Sequence, residues 1–407
     1  MTYKRLRFFE NLFAAISLFF FSGGLLSIII GLPSESKPDV DSPLLRSIFL
    51  LIYFITLFLL TLRWQKTLRA LQRHPWILFL VALAIVSTLW SSVPDITFRK
   101  SIALTGSTLF GIYFGSHYDF DEQLKILGWM FGVSIILSLV FVILLPEYGL
   151  MNTPGRSWRG IYLHKNGFGE AMFISFITFY FLSKRANKYK LAFKLAYVLS
   201  AVLVYFANSA TSLISVVFIY ATAKVLSYSS LKSRFHVLLL LILLIIGLLL
   251  SLFLSINLSN FLEANNRDVT FTGRTPLWAS LIDFIKTKPW FGYGYGAFFS
   301  GSHSETQLLW RMHSWKPPHA HNGLLTILLD LGFVGCFAFV LGYIYSLSRS
   351  LFGYLIGKDI RMLWIFSFLL YAVFFNFTEV SFLSVNALNW VISLTCIYSL
   401  SSAVNSK

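Results

Sequence analysis

Charge is what this sequence has least of. Only 12% of its 407 residues are Asp, Glu, Lys or Arg, against roughly 25% in a soluble domain. A chain so poor in charge cannot cover a water-facing surface. Hydrophobic residues make up 57% of it and the mean hydropathy is +0.72, so lipid is its main solvent. Cysteine is nearly absent too. Cys336 and Cys396 both lie inside apolar runs, which reads as small core residues and argues against a disulfide or a thiolate metal site. Acidic residues are scarcer than basic ones, 17 against 33, for a formal charge of +16. That surplus does not imply nucleic acid, because the basic residues punctuate apolar runs and so act as topology signals against anionic headgroups.

What is abundant is apolar runs of membrane length. A span needs about 20 apolar residues. Twelve segments qualify: 8–32, 44–62, 76–92, 98–116, 126–145, 166–183, 192–207, 210–227, 237–256, 322–346, 362–377 and 385–402. The first follows Lys4, Arg5 and Arg7, is too long for a signal-peptide core and lacks a small-x-small cleavage site, so it reads as a retained helix. The pair at 192–227 needs a tight hairpin or a kink at Asn208–Ser212. We therefore expect an all-α polytopic membrane protein, one transmembrane domain over 1–407, with a long, partly helical outer loop at 257–321.

Placing the N-terminus in the cytoplasm puts 20 of the 33 Lys and Arg inside, including the dense segments 63–73 and 184–194. Both termini are then cytoplasmic, and 146–165 and 257–321 are outer loops. The segment 117–125 is the misfit, an inner loop that is acidic. Loops as long as 257–321 are usually functional or disordered, and this one is too rich in Trp, Tyr, Phe and Gly for disorder.

Four clusters carry candidate chemistry. Arg156, Arg159, His164 and Lys165 crowd ten residues before the sixth span, with Asn166 as the expected N-cap. Fixed cations at a helix N-terminus suit a phosphate; the competing reading is an interfacial cluster with Trp158 and Tyr162 as belt aromatics. In Thr272–Trp278, Thr275 reads as an N-cap and Pro276 as the first helical residue. Trp278, Leu281, Ile282 and Ile285 then form one apolar face, with Arg274 either aimed at an anion or snorkelling. Pro289–Gly296 (Pro-Trp-Phe-Gly-Tyr-Gly-Tyr-Gly) is neither a dinucleotide loop, having no preceding strand, nor a potassium filter, lacking the Thr-Val before its Gly-Tyr-Gly. It reads as a tight turn that brings backbone close to a ligand. Pro317-Pro-His319-Ala-His321-Asn322-Gly323 sits where the loop re-enters the membrane. With His303 and His313 upstream it raises zinc, but no cysteine is near and acidic residues do not cluster, so no metal is expected. An imidazole, with its ordinary pKa near 6.5, suits a general base beside a phosphate site, against a bland capping role for His321 or Asn322. Glu379, in Asn376-Phe-Thr-Glu379, pairs with these arginines or ends a helix in solvent.

In this order these motifs resemble the O-antigen ligase and polymerase family. Its outer-loop pattern is met by Gly273-Arg274 with Trp278, Pro289 with Gly292 and Gly294, His321-Asn322, and Gly332 with Gly335. Trp158-Arg159-Gly160 and His164-Lys165-Asn166 look like the exopolysaccharide-polymerase branch. The likeness covers roughly 150–390; the first five spans match in hydropathy alone. It implies a metal-independent, inverting glycosyltransferase without cofactor, in the bacterial inner membrane, acting at the periplasmic leaflet in synthesis of O-antigen, capsule or exopolysaccharide. The donor would be a glycan on a polyprenyl (undecaprenyl) diphosphate and the acceptor a glycan or lipid-linked glycan, with a chain-length regulator and a flippase as partners. On that analogy Arg159 and Arg274 hold the diphosphate and His321 assists the acceptor hydroxyl, with His164, Lys165, Asn166, His319, Asn322 and Glu379 around the substrate. The alternatives are a ligase that moves glycan onto a lipid A-core, and a secondary transporter or flippase, against which no internal repeat is found.

Overall fold

The computed structural model describes residues 3–29, 42–152, 156–228, 274–301, 303–313 and 315–400. Among these the regular structure is helical, with one isolated bridge between Leu150 and Trp158 and no strand. The helices are α1 (Tyr3–Phe21), α2 (Pro43–Leu62), α3 (Trp64–Arg73), α4 (Pro75–Val86), α5 (Pro94–His117), α6 (Phe120–Leu144), α7 (Lys165–Arg185), α8 (Lys190–Phe206), α9 (Ala210–Tyr228), α10 (Arg274–Thr287), α11 (Ser304–Met312), α12 (Gly323–Gly357), α13 (Ile360–Phe375) and α14 (Leu388–Ser399). The ninth expected span, 237–256, lies outside the described residues, as do most of the loop 33–43 and Thr272 and Gly273. Every other expected span carries a helix.

Large apolar side chains lie on the outside. Leu51 and Phe54 of α2 are 60% and 72% exposed, and Trp129 and Ile143 of α6 are 76% and 70% exposed. Buried hydroxyls instead fold back on their own helices: Ser107 donates to Ala103 O, Ser134 to Met130 O and Thr178 to Ile174 O. An apolar exterior around self-satisfied polar groups is the pattern that lipid selects. Pro43–Leu62, Phe120–Leu144, Ala210–Ser227 and Gly323–Gly357 are each long and apolar enough to cross a membrane, and Trp64–Arg73 with Pro75–Leu89 forms a bent pair. The protein is an all-α membrane protein.

Two compact units divide the chain, 1–55 with 117–224 and 56–116 with 225–407. In the first, α1 and α7 pack on α6, and α8 packs along α7. The first helix is shorter than expected because Ser22-Gly23-Gly24 breaks it, with Gly23 at φ +77°. In the second, α12 packs on α4, α10 and α13, and α13 on α14. Helix α12 is broken at Gly332, φ +64°. Such a break frees two carbonyls and two N–H groups, each expensive to leave unpaired in lipid. The turn at 289–294 takes up all four: Tyr293 N and Gly294 N donate to Leu329 O and Asp330 O at 2.7 and 3.1 Å, while Phe333 N and Val334 N donate to Pro289 O and Trp290 O at 2.7 and 3.1 Å. A Cβ on Gly292 would lie 2.5 Å from Leu329 O, and one on Gly332 2.3 Å from Trp290 O. The glycine turn thus approaches a broken helix, where the sequence suggested a ligand, because the break presents the stronger hydrogen-bonding demand.

Candidate active site

The second unit gathers four of the candidate side chains. Helix α10 starts at Arg274, so Thr275 and Pro276 are its second and third residues, and neither is the N-cap or first residue expected. Its inward face is Leu277, Leu281, Phe284 and Ile285, seated in a cluster with Tyr293, Phe298, Leu309, Ala320 and Leu329. Phe284 replaces Ile282 in the expected stripe; Ile282 is 45% exposed. Trp278 Nε1 donates to Ala320 O at 2.8 Å, tying the helix to the segment that carries the histidines. Arg274 is thereby held at the end of a packed helix, 3% exposed.

His321 precedes the N-cap of α12 and has φ +50°, a conformation rare for a non-glycine residue and concentrated at functional sites. Its backbone N–H donates to His319 Nδ1 at 3.2 Å, and the two rings lie 4.1 Å apart. Trp315 flanks His321 at 5.9 Å between ring centroids. Asn322 caps the helix, Oδ1 accepting from Leu325 N at 3.0 Å.

Glu379 completes the group. Its Oε1 is 3.4 Å from Arg274 Nη2 and its Oε2 is 4.0 Å from His321 Nδ1. A clasp built on Asn376 sets its position. Gly323 N donates to Asn376 O at 2.8 Å, and Asn376 Oδ1 accepts from Ser381 N and Phe382 N at 2.8 and 3.0 Å. Asn376 Nδ2 donates to Ala372 O and Ser381 Oγ, each at 2.7 Å. A Cβ on Gly323 would meet Asn376 Oδ1 at 2.2 Å, so only glycine allows the end of α13 this close to the start of α12. Sequence reasoning missed Gly323 and Ser381. The signal was a glycine directly after His321-Asn322 and an Asn that ends an apolar run.

Burial pushes the Arg274 guanidinium's pKa down, and the Glu379 carboxylate acts against that shift. His319, His321 and Glu379 each offer a ligand atom, all within 4.8 Å of one another, a spacing a divalent cation could use. Arg274 on the same carboxylate disfavours a second cation there.

The first unit treats its cluster differently. Arg159 is buried, and its Nε and Nη2 donate to Tyr148 O and Glu147 O at 2.8 and 2.9 Å. Its guanidinium thus clamps the helical turn Pro146–Gly149. The N-cap of α7 is His164, whose Nδ1 accepts from Asn166 N at 3.2 Å. Asn166, expected as the cap, is the second helical residue, because His164 has the extended backbone a cap needs. Lys165 is buried, and Trp158 stacks on Phe206 at 4.5 Å.

An integral membrane protein with an Arg–Glu–His group at the head of a broken apolar helix is the class these observations define. Comparison with known proteins narrows it. Residues 195–340 match the family model described as O-antigen ligase, a stretch that contains Arg274, His319, His321 and Asn322. Exopolysaccharide production protein ExoQ of Rhizobium meliloti (strain 1021) is 23% identical over 294 residues, covering 70% of this chain and 66% of the relative. The chain thus spans just under two thirds of the length of the curated relative it matches. Both comparisons agree with the resemblance read from the motifs.

Proposed function

We propose that the protein is a membrane glycosyltransferase of surface polysaccharide synthesis, one that polymerises polyprenyl-diphosphate-linked oligosaccharides at the periplasmic leaflet of the bacterial inner membrane. The observation that carries this reading is the convergence of Arg274, His321 and Glu379. The O-antigen ligase match over 195–340 and the likeness to an exopolysaccharide production protein support the substrate class.

In the proposed reaction the acceptor hydroxyl oxygen attacks the anomeric carbon of the donor and the bond to the diphosphate breaks, with inversion. The hydroxyl proton passes to His321 Nε2. Glu379 faces Nδ1, which orients the ring and stabilises the imidazolium that forms; the 4.0 Å separation shortens to a hydrogen bond in the reacting complex. Arg274 stabilises the charge developing on the leaving diphosphate, an effect strong in a site where water is scarce. Arg159, His164, Lys165 and Asn166 belong to the other unit and are given no step in this reaction.

A second reading makes His319, His321 and Glu379 ligands of a divalent cation that polarises the diphosphate, favoured by their spacing. A ligase that uses a lipid A-core acceptor shares the chemistry and differs in acceptor alone. A transporter would use the freed groups of a broken helix for its substrate; in α12 they are taken by 289–294. The test is purified protein in lipid nanodiscs with a polyprenyl-diphosphate oligosaccharide. Polymer formation in excess chelator supports the first reading. Chelator inhibition reversed by a divalent ion replaces it with the second, and no glycosyl transfer to any acceptor overturns both.

A further inference from the structure

The basic segment 63–73, expected as a loop, is the helix α3, and it turns by 90° from the apolar run Pro75–Leu89 that follows. The turn has a local cause. His74 precedes Pro75, which excludes it from the helical region, and its φ and ψ are −133° and 60°. Helix α3 is fixed against its unit by buried Thr67 and Ala70, with Thr67 Oγ1 donating to Leu60 O at 3.0 Å.

The rest of α3 divides into two exposed faces. At 100° per residue, Trp64, Leu68 and Leu71 form one face, and Trp64 and Leu68 are 58% and 45% exposed. Arg69, Arg73 and Lys66 form the opposite one, all exposed. Apolar and cationic faces back to back, on a helix perpendicular to the apolar run that follows it, suit a position in the interface with Trp64 and Leu68 among acyl chains and the cations among headgroups.

A second element adds to the cationic side. Gly342 lets α12 come close to α4, since a Cβ there would lie 2.2 Å from the Trp76 indole. Further along α12, Arg349 Nη1 donates to Tyr345 Oη at 2.8 Å. Burial, then the charges of Arg349 and Arg73, push the His74 imidazole down to about 4. Arg349 lies two turns beyond Gly342, on the face of α12 that meets α4, so Arg73 and Arg349 flank the same end of that helix pair.

We infer that α3 is an interfacial helix that seats the protein on anionic glycerophospholipids of one leaflet, with Arg73 and Arg349 converging on a lipid phosphate. The basic-residue count makes this the cytoplasmic leaflet, opposite the proposed active site.

The full-length protein in neutral detergent would be titrated with phosphatidylglycerol or phosphatidylcholine, and bound lipid read by native mass spectrometry. Phosphatidylglycerol should bind preferentially. Arg73→Gln with Arg349→Gln should weaken it by about 25-fold, from about fivefold per charge removed near an anionic lipid. The Arg73→Lys, Arg349→Lys pair keeps the charge and should keep most of the preference, which separates lost charge from lost fold. In bilayers, brominated phosphatidylglycerol should quench less fluorescence in Trp64→Phe than in the unaltered protein. Equal retention of the two lipids would overturn the inference, as would displacement of phosphatidylglycerol by millimolar inorganic phosphate, which would mark a free-phosphate site. Quenching unchanged by Trp64→Phe would remove α3 from the interface.

Discussion

The two units hold the same kinds of residue and use them for different ends. In the first, Arg159, His164, Lys165 and Asn166 lie within eight positions of one another in sequence, yet the arginine donates to Tyr148 O and Glu147 O and the histidine caps a helix. In the second, Arg274, His319, His321 and Glu379 are spread over a hundred positions and meet side chain to side chain. Proximity in sequence produces local backbone duties, because a short reach finds the nearest carbonyls and amides. A charged pair assembled from distant elements needs packing to hold it, as α10 and the Asn376 clasp do here. That difference points to the second cluster as the place for chemistry.

The comparison breaks most visibly at the two histidines. His321→Ala should slow transfer by roughly 10²–10⁴-fold while donor binding stays nearly intact, the loss expected of a general base. His319→Ala should be milder. His164→Ala should leave turnover per folded molecule unchanged and remove about 1 kcal/mol of stability through its cap. Single-turnover rates and donor titration on the three variants distinguish the outcomes. Equal losses at His164 and His321 would erase the distinction between the units.

The arginines sharpen it. Arg274→Ala should abolish transfer, and Arg274→Lys should restore it only in part, since a planar fork becomes a point charge. Glu379→Gln keeps the shape and removes the charge that faces His321 Nδ1. It should lower the turnover rate with little change in KM. Arg159→Ala should act on the fold instead. It deletes two charged hydrogen bonds, part-buried, to the Tyr148 and Glu147 carbonyls, each worth about 1.5–3 kcal/mol, so the thermal midpoint in detergent should fall by several degrees. A stable, inactive Arg159→Ala protein would return Arg159 to the diphosphate site.

Much of the fold was legible in the sequence because lipid imposes a simple rule. A long apolar run must be a helix, and those within the described residues are. The candidate site was legible as residues but not as a constellation. His321, Arg274 and Glu379 stand out as polar groups at apolar boundaries, whereas nothing in the sequence says that a clasp at Asn376 brings Glu379 to them. Caps were misread by one or two residues because His164 and Asn166 both suit the role, and backbone conformation decides between them. The glycine turn was misread because its demand comes from Gly332, some forty residues away. Helix α3 was hidden by its charge, which resembles a loop until the opposite faces are laid out.

The smallest expected effect concerns the acidic segment 117–125, the misfit on the basic side of the chain. Two of its three acids form ion pairs within the first unit. Arg185 Nη2 and Asp121 Oδ2 lie 2.5 Å apart, and Arg7 Nη2 and Glu122 Oε2 2.6 Å apart. Asp119 and Glu122 also form a capping box at the start of α6. The Arg185 guanidinium holds the Asp121 carboxyl below its ordinary range. Burial pushes Glu122 up, but the Arg7 guanidinium and the Asp119 amide outweigh it and leave it lowered. A carboxylate whose pKa is depressed by folding adds stability above its unfolded pKa, about 4, and loses it as pH falls through the folded value. Glu122→Gln tests this cleanly, because Gln at the third helical position still serves the capping box while the charge pairing with Arg7 is gone. The pair is partly exposed, so the loss should be no more than about 1 kcal/mol near neutral pH. Thermal melts of the two proteins should differ by a degree or two at pH 7 and converge as pH falls below about 4. A difference that persists in acid would assign the effect to packing, and the acidic segment would again lack a reason to sit among basic residues.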